Sequence, residues 1–300
     1  MKKIITLAVI YLALFIGILE AKEKKMSAQQ YLQSDEVIEH KYAANHVRIY
    51  GQDSSRGRFI TIIPSLGRGV EDYTEEFDST ITTRLAEAGY RVILIQPRGI
   101  GKSRGDLTPA NASMSMFAQD IKAVLDIKSI KSAVLIGHAF GNRLARTFAT
   151  LYPSYVDDLV LMASGGNFEM DNQQKSCLRG SIDPKLEKKA RLEAIDCAFF
   201  AKGNDPTVWL DGWYVDLAQA EILASVMING DFFKKAGGKH FLLLQAAEDF
   251  IAPPDKSGKV LKAELGDQVT YVEIANAGHA LSSEQPDLIS KHIIKYLSRR

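Results

Sequence analysis

Short apolar segments alternate with amphipathic segments over most of the chain. Apolar runs bounded by glycine or proline predict buried strands at residues 58–63, 91–96, 133–137, 159–163, 241–245 and 269–274. Between them, apolar residues recur at helical spacing, as at Met114, Phe117 and Ile121 and again over residues 288–297. This alternation predicts a mostly parallel, doubly wound sheet covered by helices on both faces, an α/β fold.

One long stretch interrupts the alternation. Residues 165–236 are polar and broken, with helix-like pieces at 184–197 and 215–226, and they contain both tryptophans and both cysteines. We interpret this stretch as a mainly helical cap inserted into a core formed by residues 45–164 and 237–300. Residues 22–44 form an N-terminal segment in front of that core.

The first 21 residues have the pattern of an export signal. Two lysines precede an apolar run over residues 4–19, and Ala21 offers a small residue at a cleavage position. The pattern predicts an exported protein, periplasmic or secreted. The alternative is an uncleaved membrane anchor, although the run is slightly shorter than the ~20 residues that a spanning helix needs.

Composition and charge exclude several classes of protein. The 300 residues are 46% hydrophobic and 24% charged, and 37 basic residues balance 36 acidic ones, so no charge excess points to nucleic acid. Two cysteines exclude a four-cysteine zinc site, and no histidine pair has metal-ligand spacing. Gly101-Lys102-Ser103 imitates a P-loop, but Gln96 stands where the first glycine is required. Neither a cofactor nor a metal is expected.

The strand at 133–137 runs into Gly137-His138-Ala139-Phe140-Gly141 and then into a helix. In this context the pattern G-x-S-x-G forms a nucleophile elbow, whose glycines flank a turn too tight for a neighbouring Cβ. Both glycines are present here, but Ala139 occupies the central position and offers no group that could form an acyl-enzyme. We expect the alanine to be natural rather than engineered. His138 is expected to point away, since the elbow aims its central side chain at the site.

Two further residues complete the pattern. Asp249 follows the strand at 241–245, and His279 follows the strand at 269–274 just before the last helix. The order of elbow, acid and histidine is that of α/β-hydrolases, in which the acid orients the imidazole and leaves its other nitrogen free as a base. Glu248 is the neighbouring alternative acid.

An oxyanion site is predicted beside the elbow. The backbone N–H of Phe140 is one expected donor, and Leu66 or Ser65, in the loop after the first predicted core strand, is the expected second. Ser65 lies in the same loop and is a candidate substrate contact or a simple turn serine. Trp209 and Trp213 in the cap are candidates to line a substrate pocket or to form the core of the cap itself.

Together these motifs resemble the α/β-hydrolase superfamily over about residues 45–300. The sequence is most similar to capped bacterial hydrolases that carry His-Ala-Phe-Gly-Asn after the elbow strand and Pro-Arg-Gly-Ile-Gly after an earlier strand, here residues 138–142 and 97–101. The resemblance implies an α/β-hydrolase fold with a cap, and a site built from positions 139, 249 and 279.

Three functions remain open from the sequence. The first is a hydrolase of a small, largely apolar ester-like substrate, in which His279 and Asp249 act without a serine. The second is a non-catalytic protein that binds a hydrophobic ligand or a partner. The third is a lyase-like or oxygenase-like enzyme in which the same dyad abstracts a proton. The expected partner is a small apolar molecule, with membrane contact only through an uncleaved N-terminal segment; the sequence does not define an oligomeric state.

The two cysteines carry a separate prediction. Cys177 and Cys197 both lie in the cap, and an exported protein meets an oxidising compartment. We therefore expect a disulfide that pins the cap, with two buried thiols of a cytosolic protein as the alternative.

Overall fold

The computed structural model describes residues 27–52, 57–165 and 168–299. The predicted export signal at residues 1–21 lies outside these described residues. The strands are β1 Leu32–Glu39, β2 Ala44–Tyr50, β3 Phe59–Ile63, β4 Arg91–Ile95, β5 Ala133–His138, β6 Val156–Met162, β7 Phe241–Ala246 and β8 Val269–Ile274. The α-helices are α1 Ile81–Glu87, α2 Met114–Ile127, α3 Phe140–Leu151, α4 Asn172–Ile182, α5 Lys188–Phe199, α6 Val215–Met227, α7 Gly230–Lys234, α8 Gly258–Leu265, α9 Leu281–Glu284 and α10 Pro286–Leu297.

The eight strands form one sheet in the order β1-β2-β4-β3-β5-β6-β7-β8. β2 is antiparallel to both of its neighbours, and the strands from β4 to β8 are parallel. The predicted α/β class with a mostly parallel sheet is confirmed. Because parallel strands end at the same edge, the loops after β3, β5, β7 and β8 converge there.

The sheet begins earlier than the core boundary placed at residue 45. β1 lies within the predicted N-terminal segment and pairs with β2 along its length, from Leu32 opposite Tyr50 to Glu39 opposite Ala44. The sequence did not reveal this strand because it is an edge strand with mostly exposed residues, so it lacks the apolar run of a buried strand.

Apolar side chains cover both faces of the sheet. On one face α2, α3 and α8 pack against the strands, and the cap helix α6 joins them through Leu217 and Ala220. On the other face α1 and α10 supply Leu85, Ile289 and Ile293. Continuous apolar runs such as β5, which is buried throughout, follow from coverage on both sides.

The cap consists of α4 to α7 and lies between β6 and β7 in the chain. The Sγ atoms of Cys177 and Cys197 are bonded, with the two Cα atoms 5.9 Å apart, so a disulfide joins α4 to α5. A small apolar core within the cap contains Ile195, Phe199 and Trp209, and it reaches the main domain at Ala280.

Candidate functional site

The elbow lies between β5 and α3. Ala139 connects them with φ 50° and ψ −110°, a backbone conformation that residues other than glycine rarely adopt. Its N–H donates to the carbonyl of Met162 at 3.0 Å, and its carbonyl accepts from Asn142 Nδ2 at 2.5 Å. These bonds hold the turn so that the Ala139 side chain lines a cavity of about 280 Å³.

The flanking glycines allow close packing around this turn. A Cβ on Gly141 would lie 2.1 Å from the carbonyl oxygen of Ile63 at the end of β3, and one on Gly137 would lie 2.4 Å from the carbonyl oxygen of Gly141. Both distances are too short for any side chain. The two glycines therefore bring α3 against β3, where the loop with the predicted oxyanion residues begins.

His279 and Asp249 meet at the edge of this cavity. The imidazole Nδ1 lies 2.9 Å and 3.0 Å from the two carboxylate oxygens of Asp249. The carboxylate also accepts from the Ala252 N–H at 2.7 Å and from Gln245 Nε2 at 3.3 Å. Asp249 is buried and His279 lines the cavity together with Ala139, whereas the alternative acid Glu248 is exposed. The imidazole is thus fixed on one nitrogen and faces the cavity.

The loop that carries His279 is built against the cap. A Cβ on Gly278 would lie 2.5 Å from the carbonyl oxygen of Phe199, and the Ala280 N–H donates to that same oxygen at 2.8 Å. The Glu284 carboxylate accepts from the N–H groups of Gly278 and Ala201, each at 2.7 Å. Burial raises the pKa of Glu284. The end of α5 therefore fixes the position of the histidine loop.

The predicted oxyanion residues are placed at the cavity as well. Ser65, Leu66 and Phe140 all line it, so the loop after β3 and the start of α3 border the same space as Ala139. Most of the remaining wall is apolar, with contributions from Phe168, Met170, Leu178, Phe199, Trp213, Ile222, Val226 and Ile251.

The two cap tryptophans differ in role. Trp213 lines the cavity, as one of the two sequence interpretations had it. Trp209 does not: its side chain is fully buried in the core of the cap, and its Nε1 donates to Ser283 Oγ at 3.0 Å. The candidate substrate contact at Trp209 is therefore corrected to a structural position, because its ring packs on Phe199 and Phe200 rather than facing the cavity.

His138 is buried behind the elbow. Its Nε2 donates to the carbonyl oxygen of His279 at 2.7 Å, and its Nδ1 accepts from the Tyr73 hydroxyl at 3.1 Å. Burial, with the charge of His279 adding to it, lowers the pKa of His138 to about 3, so the ring stays neutral. It links the elbow strand to the histidine loop and contributes no lining to the cavity.

Sequence reasoning missed Arg143. This residue follows Ala139 by one helical turn on α3 and lines the cavity beside it. The available signal was its spacing, because residues four apart share a helix face.

Within the described part of the chain, no group of three or more His, Cys, Asp or Glu residues could hold a metal ion. None of the described helices is long and apolar enough to cross a bilayer.

The fold is that of the alpha/beta hydrolases. A family model described as the alpha/beta hydrolase fold matches residues 69–203. A 2-hydroxy-6-oxononadienedioate/2-hydroxy-6-oxononatrienedioate hydrolase from a Pseudomonas species is 39% identical over 231 residues, which cover 71% of this chain and 79% of that protein. The chain therefore belongs to the alpha/beta hydrolase family.

Another relative and two solved structures are also similar to this chain. A hydrolase of the same name from Paraburkholderia phymatum is 32% identical over 153 residues, and the match spans 49% of this chain and about half, 52%, of that relative. A crystal structure of a meta-cleavage product hydrolase variant superposes with a TM-score of 0.71 at 20% identity, covering 89% of this chain and 98% of that one. The structure of an esterase from Exiguobacterium antarcticum superposes with a TM-score of 0.68 at 18% identity, covering 85% of this chain and 96% of that one. These two structures are similar in fold.

Proposed function

We propose that this protein hydrolyses a small, largely apolar ester-like substrate through His279 and Asp249, without a serine nucleophile. The observation that carries the proposal is the hydrogen-bonded dyad facing the cavity beside Ala139. A protein that only binds a ligand has no need for a carboxylate-oriented imidazole at that place. The hydrolase names of its relatives support the same class of reaction.

The geometry suggests a direct attack by water. With Nδ1–H donating to Asp249, the other imidazole nitrogen of His279 is free to take a proton from water. The resulting hydroxide adds to the substrate carbonyl, and the backbone N–H groups of Leu66 and Phe140 stabilise the oxyanion. The carbonyl re-forms as the C–O bond breaks, and the imidazolium returns its proton to the leaving alkoxide.

The first prediction compares the turnover of the parent with that of variants at His279 and Ala139. The substrates are a panel of activated esters and, separately, 2-hydroxy-6-oxononadienedioate, which is named for the relatives. The parent should show weak turnover without an acyl-enzyme burst, because Ala139 cannot be acylated. His279→Ala should lower kcat/KM by roughly 10²- to 10⁴-fold, the usual contribution of a general base. His240→Ala is the matched control, since His240 is exposed at the opposite end of β7.

Ala139→Ser tests the vacant position itself. The turn is set by Gly137 and Gly141, so the variant should fold normally, show a burst of acylation and react with phosphonylating reagents that leave the parent unlabelled. Parent activity that survives His279→Ala, or parent labelling at another residue, would show that the dyad mechanism is wrong. A folded but inert Ala139→Ser variant would favour the ligand-binding protein instead.

A further inference from the structure

Two arginines on α3, the partly buried Arg143 and the buried Arg146, have no carboxylate partner in the described part of the chain. Arg143 and Arg146 are three residues apart, so their guanidinium groups share one face of the helix. Burial lowers the pKa of both residues, to about 9 for Arg146, where the charge of Arg143 adds to the effect. Among the described residues, no carboxylate lies within ion-pair distance of either guanidinium.

The two side chains differ in how they are held. Arg146 Nη2 donates to Asn142 Oδ1 at 2.8 Å, and its guanidinium lies 4.9 Å from the ring centre of Phe233. The guanidinium of Arg143 has no hydrogen-bond partner among the described groups. It lies at the wall that separates the 280 Å³ cavity from a second cavity, and it lines both of them.

The second cavity, of about 660 Å³, has an excess of positive charge. Its two carboxylates, Asp231 and Glu264, both pair with Lys234, at 3.5 and 3.2 Å. Arg143, Arg146 and the exposed Lys256 are then the cations of this cavity that no described carboxylate neutralises. The two cavities share Gly165, Phe168, Ser225 and Val226 in addition to Arg143, so they adjoin.

A charge that is largely removed from water is costly to leave without a partner. Arg146 is buried and Arg143 is partly buried at the cavity wall, so an anionic ligand in the cavity would supply a partner for Arg143. A guanidinium presents parallel N–H groups that match the two oxygens of a carboxylate. The adjoining small cavity is apolar and leads to Ala139 and His279, so it suits a hydrocarbon chain.

We propose that Arg143, supported by Arg146 and Lys256, forms a carboxylate subsite that selects an amphipathic acyl substrate. The apolar part occupies the 280 Å³ cavity with its carbonyl group near Ala139, and the carboxylate at the far end binds Arg143. The orientation of the carbonyl rests on the proposed function, whereas the anion subsite itself requires no turnover.

The second prediction measures this selectivity with two ligands that cannot be hydrolysed. 7-Oxooctanoate and 2-octanone share an eight-carbon methyl ketone skeleton, and only the first carries a carboxylate. We expect the parent to bind 7-oxooctanoate roughly ten- to a hundredfold more tightly, the usual range for a hydrogen-bonded charged group. Calorimetry measures the affinities, and the fluorescence of Trp213 in the cavity wall gives a second readout.

Arg143→Met should abolish the preference while leaving 2-octanone binding within about twofold, because methionine keeps the apolar stem of the side chain. Arg179→Met is the matched control, since Arg179 is an exposed arginine of the cap that lines neither cavity. A melting curve checks that each variant folds, and Arg143→Lys, which keeps the charge, should restore part of the preference.

Equal binding of the two ketones by the parent, or an unchanged preference in Arg143→Met, would overturn the subsite. Loss of the preference in Arg179→Met as well would reduce the effect to general surface charge, which also overturns it. Because no step of this assay is chemical, a parent that prefers the acid but hydrolyses no ester would contradict the proposed function and leave the subsite standing.

Discussion

At the scale of single residues, the turn between β5 and α3 keeps the positive φ of a nucleophile elbow, although Ala139 stands where that pattern has a serine. Hydrogen bonds to the N–H and to the carbonyl of Ala139 hold its positive φ. The close packing at Gly137 and Gly141 leaves no space for a different course of the backbone. Such conformations cost of order 1–3 kcal/mol and persist only where the surroundings impose them. The strain is thus independent of a hydroxyl.

Glu221 on α6 supports the loop after β3, which carries the predicted oxyanion donor Leu66. Its carboxylate accepts from the Gly67 N–H at 2.7 Å, directly after Leu66. The side chain is buried, and burial raises its pKa well above the usual 4.5. The folded chain therefore binds a proton at Glu221 more tightly than the unfolded chain does. The contribution of Glu221 to stability is therefore fully present below pH about 4.5 and is lost as the pH rises towards the raised pKa.

The third prediction follows from the loss of stability that the raised pKa of Glu221 causes at higher pH. Glu221→Gln keeps an oxygen acceptor for Gly67 and removes the titration, so it should stabilise the protein at pH 8 and have little effect near pH 4.5. Each pH unit between the unfolded and folded pKa values costs the parent about 1.4 kcal/mol. Urea unfolding across this pH range measures the difference.

Glu193→Gln, on the exposed side of α5, is the control and should leave the pH dependence unchanged. Glu221→Leu removes the acceptor and should impair turnover through the oxyanion loop. Equal stability of Glu221→Gln and the parent at both pH values would contradict a proton held at Glu221.

At the scale of elements, the cap depends on a cross-link between two short helices. The disulfide between Cys177 and Cys197 closes a sequence separation of 20 residues and joins α4 to α5. The C-terminal end of α5 in turn fixes the histidine loop through the carbonyl of Phe199. The cross-link therefore acts on the site through the position of α5.

The fourth prediction is that reduction loosens the cap. Dithiothreitol, or the double substitution Cys177→Ser with Cys197→Ser, should lower the free energy of unfolding by about 3 kcal/mol, the chain-entropy value for a loop of this length. Thermal melting with and without reductant measures it. The double variant serves as its own control because it should not respond to dithiothreitol; an oxidised parent that is equally insensitive would contradict a stabilising bond.

At the scale of the whole molecule, one buried arginine joins the core to the cap. Arg68 follows the oxyanion loop and is fully buried, with Nε and Nη2 donating to the Asp72 carboxylate at 2.8 and 2.7 Å. Its Nη1 donates to the carbonyl of Asp211 in the cap at 2.6 Å. The guanidinium carbon lies 4.7 Å from the ring centres of both Trp209 and Trp213. This contact holds the cap over the elbow.

The fifth prediction compares two arginines. Arg68→Met leaves Asp72 buried without its partner and should cost roughly 3–5 kcal/mol of stability. Hydrogen exchange should then increase in the segment that carries Trp209 and Trp213. Arg84→Met is the control, because Arg84 lies in an exposed pair with Asp287 and Glu87 whose loss should cost about 1 kcal/mol or less. Similar losses for both variants would contradict a special role of Arg68.

The sequence by itself determined the α/β class and brought three positions to one edge. Apolar runs of strand length show where the buried strands lie, and parallel strands end on the same side, so residues after their carboxyl ends must converge. For this reason the sequence alone predicts that Ala139, Asp249 and His279 lie close together. The sequence pattern did not predict the exposed edge strand β1, because an edge strand needs no apolar run.

Only the tertiary structure decided which side chains face the cavity and which charges lack partners. Trp209 and Trp213 are four residues apart, yet one packs in the cap and the other lines the cavity. The role of Glu221 depends on its hydrogen bond to Gly67 on another element. The proposed role of Arg143 depends on the lack of a carboxylate near it among the described residues. These properties depend on burial and on contacts between distant parts of the chain, and a sequence pattern records only its own local periodicity.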